Sequence, residues 1–155
     1  MKIIEGDLIK LAQAGQFDVI IHGCNCQCTM GSGIAKTVRE VFPDAYAVDC
    51  ETTKGDRYKL GQYSHTSVDA DTDVGKLYII NGYTQFNYNP SMMNADYDAI
   101  RGVFKKVKKA FGGMRIGYPM IGAGLAGGDW NIISAIIEEE LEGEDHTFVK
   151  FVPGK

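Results

Sequence analysis

The 155-residue sequence predicts an α/β fold in which one sheet carries helices on both faces. Strand-type and helix-type patterns alternate along the chain. The run FDVIIHG at 17–23 is short, apolar and rich in β-branched residues, as suits a strand covered on both sides. Two glycine-rich stretches, TMGSGIA at 29–35 and IGAGLAGG at 121–128, each lie between a strand pattern and a helix pattern. Sheets of this class hold ligands beyond the carboxyl ends of their strands.

The elements follow in order. A short first strand ends at GDL, where Asp7 suits the N-cap of a helix over LIKLAQAG. FDVIIHG is the central strand. After the first glycines, GIAKTVREVF sets Ile34, Val38 and Val41 at helical spacing before Pro43 stops the helix, and AYAVDCETTK continues as a second one. GQYSHTSV and KLYIINGY read as two strands joined by the acidic loop at 68–75. Asn94 serves as the N-cap of a helix whose face is Tyr97, Ile100, Phe104, Val107 and Phe111. Four lysines, at 105, 106, 108 and 109, complement its carboxyl end, and Gly112-Gly113 terminates it. MRIGYPMI is another strand. Asp129 caps a helix with the buried stripe Ile132, Ile133, Ile136, Ile137 and Leu141, and HTFVKFV is the last strand.

Bulk properties narrow the function. The length suits one domain spanning 1–155, expected as a monomer. Sixteen basic against twenty acidic residues leave a net charge of -4, so a polyphosphate backbone is not the main partner. Apolar runs fall short of the roughly 20 residues that span a bilayer, and MKIIEGDLIK lacks a signal-peptide core. The expectation is a soluble cytoplasmic protein without a membrane partner. Cys24, Cys26 and Cys28 alternate with other residues, unlike the Cys-x2-4-Cys spacing of a zinc site, so reduced thiols, no metal and no cofactor are expected.

The chemistry gathers at the glycine stretches. Gly31 and Gly33 on one side, and Gly122, Gly124, Gly127 and Gly128 on the other, let backbone N–H groups approach a ligand at two helix N-termini. Two such loops at one sheet edge can clasp a pyrophosphate without a lysine. Asn25 reads either as a turn asparagine or as a donor and acceptor for ribose hydroxyls. Asp7 caps its helix and can also accept from an exocyclic amine. His22, at the end of the central strand, reads as a hydrogen-bonded core residue or as an acid–base group. Trp130 and the tyrosines read as core, with Tyr83 also able to flank a sugar.

GDL near the start, FDVIIHGCN running into MGSGIA, and PMIGAGLAGGDW near the end together resemble the macrodomain family of ADP-ribose-binding modules, over nearly the whole chain. The chain looks most like the branch of ADP-ribose-1''-phosphate phosphatases, because IIHGCNC places a histidine where most macrodomains carry asparagine and FPDAY follows at a similar distance. It is also similar to the branch that removes ADP-ribose from acidic side chains. The resemblance implies a three-layer α/β/α macrodomain with a central mixed sheet. It also implies ADP-ribose or ADP-ribose-1''-phosphate as ligand, and hydrolysis at the distal ribose. By the same resemblance Asp7 meets the adenine amine, with the Leu8 N–H beside it. Asn25 meets the distal ribose, while Gly31, Ser32, Gly33 and Ile34 form the first phosphate loop. Gly122, Ala123, Gly124, Leu125 and Ala126 form the second, Phe151 is the candidate cover for adenine, and His22 with Asn25 is the candidate catalytic pair. Two departures stand out. The lysine and aspartate of the ester-cleaving branch are replaced by the stretch Gly82 to Thr84 and by Ala126, with Asp129 three residues further on. An ADP-ribosyl hydrolase acting on protein or nucleic acid, and a reader without turnover, remain as alternatives.

Overall fold

A computed structural model describes residues 1–154. The six strands are β1 (Lys2–Gly6), β2 (Val19–Cys24), β3 (Tyr63–Asp69), β4 (Lys76–Tyr83), β5 (Ile116–Tyr118) and β6 (His146–Phe151). They form one sheet in the order β1-β6-β5-β2-β4-β3. All neighbours are parallel except β3 and β4, which make an antiparallel hairpin at one edge, so the sheet is mixed as expected. The helices are α1 (Leu8–Gln13), α2 (Gly33–Val41), α3 (Pro43–Cys50), α4 (Tyr97–Phe111) and α5 (Trp130–Glu140).

Each face of the sheet owns a separate core. Val19 and Ile21 of β2 pack with Ile100, Val103 and Phe104 of α4 and Ile133, Ile136 and Ile137 of α5. Ile20 and Cys24, alternating with them, pack with Leu8 and Ile9 of α1, Val38 of α2 and Ala45 of α3. Neighbouring residues of a strand point to opposite faces, so a strand buried on both has no polar positions to spare. Proline at the start of α3 costs that helix nothing, since the first amide has no intrahelical partner.

The structure corrects four local expectations. Asp96, not Asn94, caps α4: its carboxylate accepts from the Ala99 N–H at 2.9 Å, while the Asn94 side chain donates to the Asn89 and Met92 carbonyls. Ile132 is 44% exposed and leaves the buried stripe of α5. The strand over MRIGYPMI keeps only three residues, Ile116–Tyr118, because the chain then turns into the second glycine loop. The helix over AYAVDCETTK ends at Cys50.

Candidate ligand-binding site

A cavity of about 770 Å³ opens beyond the carboxyl ends of β2, β5 and β6, within the range of small-molecule sites. The two glycine loops form its walls. Gly31, Ser32, Gly33 and Ile34 line one side, and Gly122, Gly124, Leu125 and Ala126 the other, with Asn25 and Phe151 also on its surface. Ala123 belongs to the second loop but not to the lining.

The first loop is built for backbone donation. Gly33, at φ +59°, opens α2, and a Cβ there would meet Leu125 Cδ1 at 3.1 Å, so the two loops touch across this residue. Ser32 stands at the N-cap with an extended backbone, yet its side chain makes no capping hydrogen bond. The leading N–H groups of α2 are thus left without the usual side-chain acceptor at the very place where its first residues line the cavity. Asn25 shows the local contacts of a turn asparagine. Its Nδ2 donates to Thr29 Oγ1 at 2.8 Å and its Oδ1 accepts from the Gln27 N–H at 2.8 Å, which fixes the amide while leaving a second N–H and a second lone pair for a ligand.

The expected site residues divide here. Asp7 and Leu8 lie outside the lining: Asp7 caps α1 through the Lys10 N–H, and Leu8 is buried. They are still close to it, because Gly6 pairs with the cavity residue Phe151 across β1 and β6. His22 is the clearest correction. It is 1% exposed, does not line the cavity, and faces the α1–α3 side of the sheet. Asn81 Nδ2 donates to the Ala45 carbonyl and to Ser64 Oγ, so its Oδ1 accepts from His22 Nε2, at 2.7 Å. Burial lowers the imidazole to about 4, against which the Asn81 bond acts weakly. The ring is thus neutral and enclosed, and it meets the cavity only through Cys24, a lining residue whose Sγ lies 3.7 Å from it. Tyr83 likewise leaves the sugar-flanking reading: it is buried, and its hydroxyl donates to Asp49 Oδ1 at 2.7 Å. Asp129 stays at the N-cap of α5, accepting from the Asn131 N–H.

Sequence reasoning missed the rim. Gln85, Tyr88, Pro90 and Asn94 line the cavity from a loop that the Gln85–Ala95 bridge closes and that docks on the Ala126 carbonyl through the Asn94 and Ala95 N–H groups. Residues 83–95 and 116–128 contain no charged side chain, and that was a legible signal. Among the described lining residues Lys150 is the one charged group; there is no carboxylate and no imidazole. Cys24 borders the cavity, but burial pushes its thiol well above the usual range and keeps it protonated.

No family model matches the chain. An uncharacterised 17.5 kDa protein from the tk-vs intergenic region of Enterobacteria phage T4 is 38% identical over 144 residues, covering 89% of this chain and 88% of the relative. The ADP-ribose 1''-phosphate phosphatase of Candida albicans is 28% identical over 151 residues, covering 90% and 92%. Among solved structures, the macrodomain of Thermus aquaticus DarG superposes with a TM-score of 0.69 at 22% identity, covering 98% of this chain and 97% of that one. A Trypanosoma brucei macrodomain in complex with ADP-ribose gives 0.66 at 17%, covering 97% and 63%. At these identities the likeness is one of fold.

Proposed function

Because this chain has the macrodomain fold, we propose that it binds ADP-ribose in the 770 Å³ cavity and hydrolyses a derivative at the distal ribose, ADP-ribose-1''-phosphate being the leading substrate. One observation carries the reading. Two glycine loops meet across Gly33 and Leu125 and face a single cavity, with the α2 N-terminus uncapped between them, which suits a diphosphate held by amides in an acidic protein. Adenine then lies toward Phe151, where the free oxygen of Asp7 accepts from the amine and the Leu8 N–H, unpaired at the first helical position, donates to the ring. The distal ribose lies at Asn25. A relative named ADP-ribose 1''-phosphate phosphatase, similar over most of both chains, supports the choice of substrate.

In this reading Asn25 fixes the ribose and orients the attacking water. His22, neutral and enclosed, acts on turnover only through the strand it braces. The absence of carboxylate and imidazole from the described lining favours one alternative, a reader that binds ADP-ribose without turning it over. Three measurements separate the cases: calorimetric titration with ADP-ribose, phosphate release from ADP-ribose-1''-phosphate, and ADP-ribose release from ADP-ribosylated protein and DNA. Binding with phosphate release supports the leading reading, and binding without any release supports the reader. No heat at millimolar ADP-ribose sinks both.

A further inference from the structure

Cys24 closes β2 at the cavity wall and Cys26 and Cys28 follow in the β2–α2 loop; the ligand reading gives none of them a role, and their surroundings set one apart. Cys24 and Cys26 are buried, and burial pushes the Cys26 thiol up to about 11. Cys28 is half-buried, with its Sγ 3.6 Å from the Nζ of Lys59 and 3.5 Å from Thr52 Oγ1, and its thiol donates to the Asp49 carbonyl at 3.3 Å. Lys59 is only 7% exposed, yet it makes no ion pair with any described carboxylate; Asp49 feels its charge only at longer range. Its ammonium rests 4.7 Å from the Tyr83 ring centroid and donates to the Cys26 carbonyl at 3.2 Å. A buried cation with no carboxylate in direct contact favours negative charge that forms beside it. A second cavity, of about 180 Å³, is lined by Thr52, Asp56, Lys59 and Tyr83 among others, so the two groups flanking the Cys28 sulfur, though not the sulfur itself, border a space that admits a small reagent.

We propose that Cys28 is a site of oxidation by peroxides, and that its conversion to a sulfenic acid unseats the loop that carries Asn25. In the step, sulfur attacks the peroxide, the O–O bond breaks and an S–O bond forms. Sulfur loses two electrons, and the thiol proton leaves with the departing hydroxide as water. Lys59 donates to the oxygen that leaves and then to the one that stays. The consequence for the ligand rests on the ADP-ribose reading. The added oxygen competes with the Cys26 carbonyl for Lys59 and crowds the Asp49 carbonyl, so the turn from Asn25 to Gly31 loses two of its anchors.

The test uses the full chain, hydrogen peroxide and dimedone as the sulfenic-acid trap, with adducts mapped by peptide mass spectrometry. Faster labelling of Cys28 than of the exposed Cys50 is expected; equal or faster labelling of Cys50 overturns the assignment, and this comparison needs no variant. In Lys59→Met the Cys28 rate should fall about fivefold or more, and an unchanged rate removes the ammonium from the step. Calorimetry before and after oxidation should show ADP-ribose affinity reduced by about tenfold or more in the wild type and unaltered in Cys28→Ser. A loss that persists in Cys28→Ser overturns the coupling. If the reduced protein binds no ADP-ribose, the ligand reading fails while the mapping still decides the modification.

Discussion

Gly33, His22 and Thr84 show how much one residue's surroundings decide. A valine at 33 would hold a β-branched side chain at φ +59°, against Leu125, and block the backbone's approach to a phosphate. Gly33→Val should therefore abolish measurable ADP-ribose binding by calorimetry, and retained affinity would take this loop out of the site. His22 makes a pH prediction of definite sign. Its value falls from 6.5 to about 4 on folding, so the unfolded chain binds more protons between those limits. Stability from this group is complete above pH 6.5 and is lost as pH drops toward 4, a difference of order 3 kcal/mol. His22→Gln, which keeps an N–H for Asn81, should flatten that part of the stability–pH curve in urea unfolding while leaving the pH profile of any turnover unchanged. Thr84 Oγ1 is the buried side-chain polar atom without a partner among the described residues, pressed against the place a Gly23 Cβ would take. Replacing it by the equally shaped valine should raise stability by up to about 1 kcal/mol, and a clear loss would reveal a bonded water there.

At the scale of elements, both helices that cover the first core begin at an aspartate. Asp96 bonds the Ala99 N–H in α4, and Asp129 bonds the Asn131 N–H in α5. Asp96→Ala and Asp129→Ala should each cost about 1 kcal/mol in chemical denaturation. Asn94→Ala should spare α4 and instead loosen the loop from Gln85 to Ala95, which its side chain braces internally. Hydrogen exchange in that loop distinguishes the two. The asparagine was misread because both residues have capping chemistry and lie two positions apart. Only the path of the chain, which sends the Asn94 N–H to the Ala126 carbonyl of the second glycine loop, tells which one meets the helix.

For the whole molecule, a ligand that bridges β2, α2 and the β5–α5 loop should stabilise the fold by mass action. ADP-ribose at a hundredfold excess over its dissociation constant should add about 2.7 kcal/mol, read as a rise in Tm that Gly33→Val lacks. The alternation of patterns, the apolar run of β2 and the positions of both glycine loops were legible in the sequence, because periodicity and glycine act locally and a parallel sheet leaves them one shared edge. The closeness of Gly31 to Ile34 and Gly122 to Ala126 could be expected on that basis, while the mixed sheet was expected only from the family resemblance. What His22 does could not. A histidine at a strand's end has two faces open to it, and the tertiary structure turned it to the side of α3, where Asn81 orients it and burial holds it neutral. The rim from Gln85 to Asn94 and the meeting of Cys28 with Lys59 belong to the same class. They join residues 31 positions apart or an irregular loop to a sheet edge, and no local pattern encodes a contact that long-range packing alone creates.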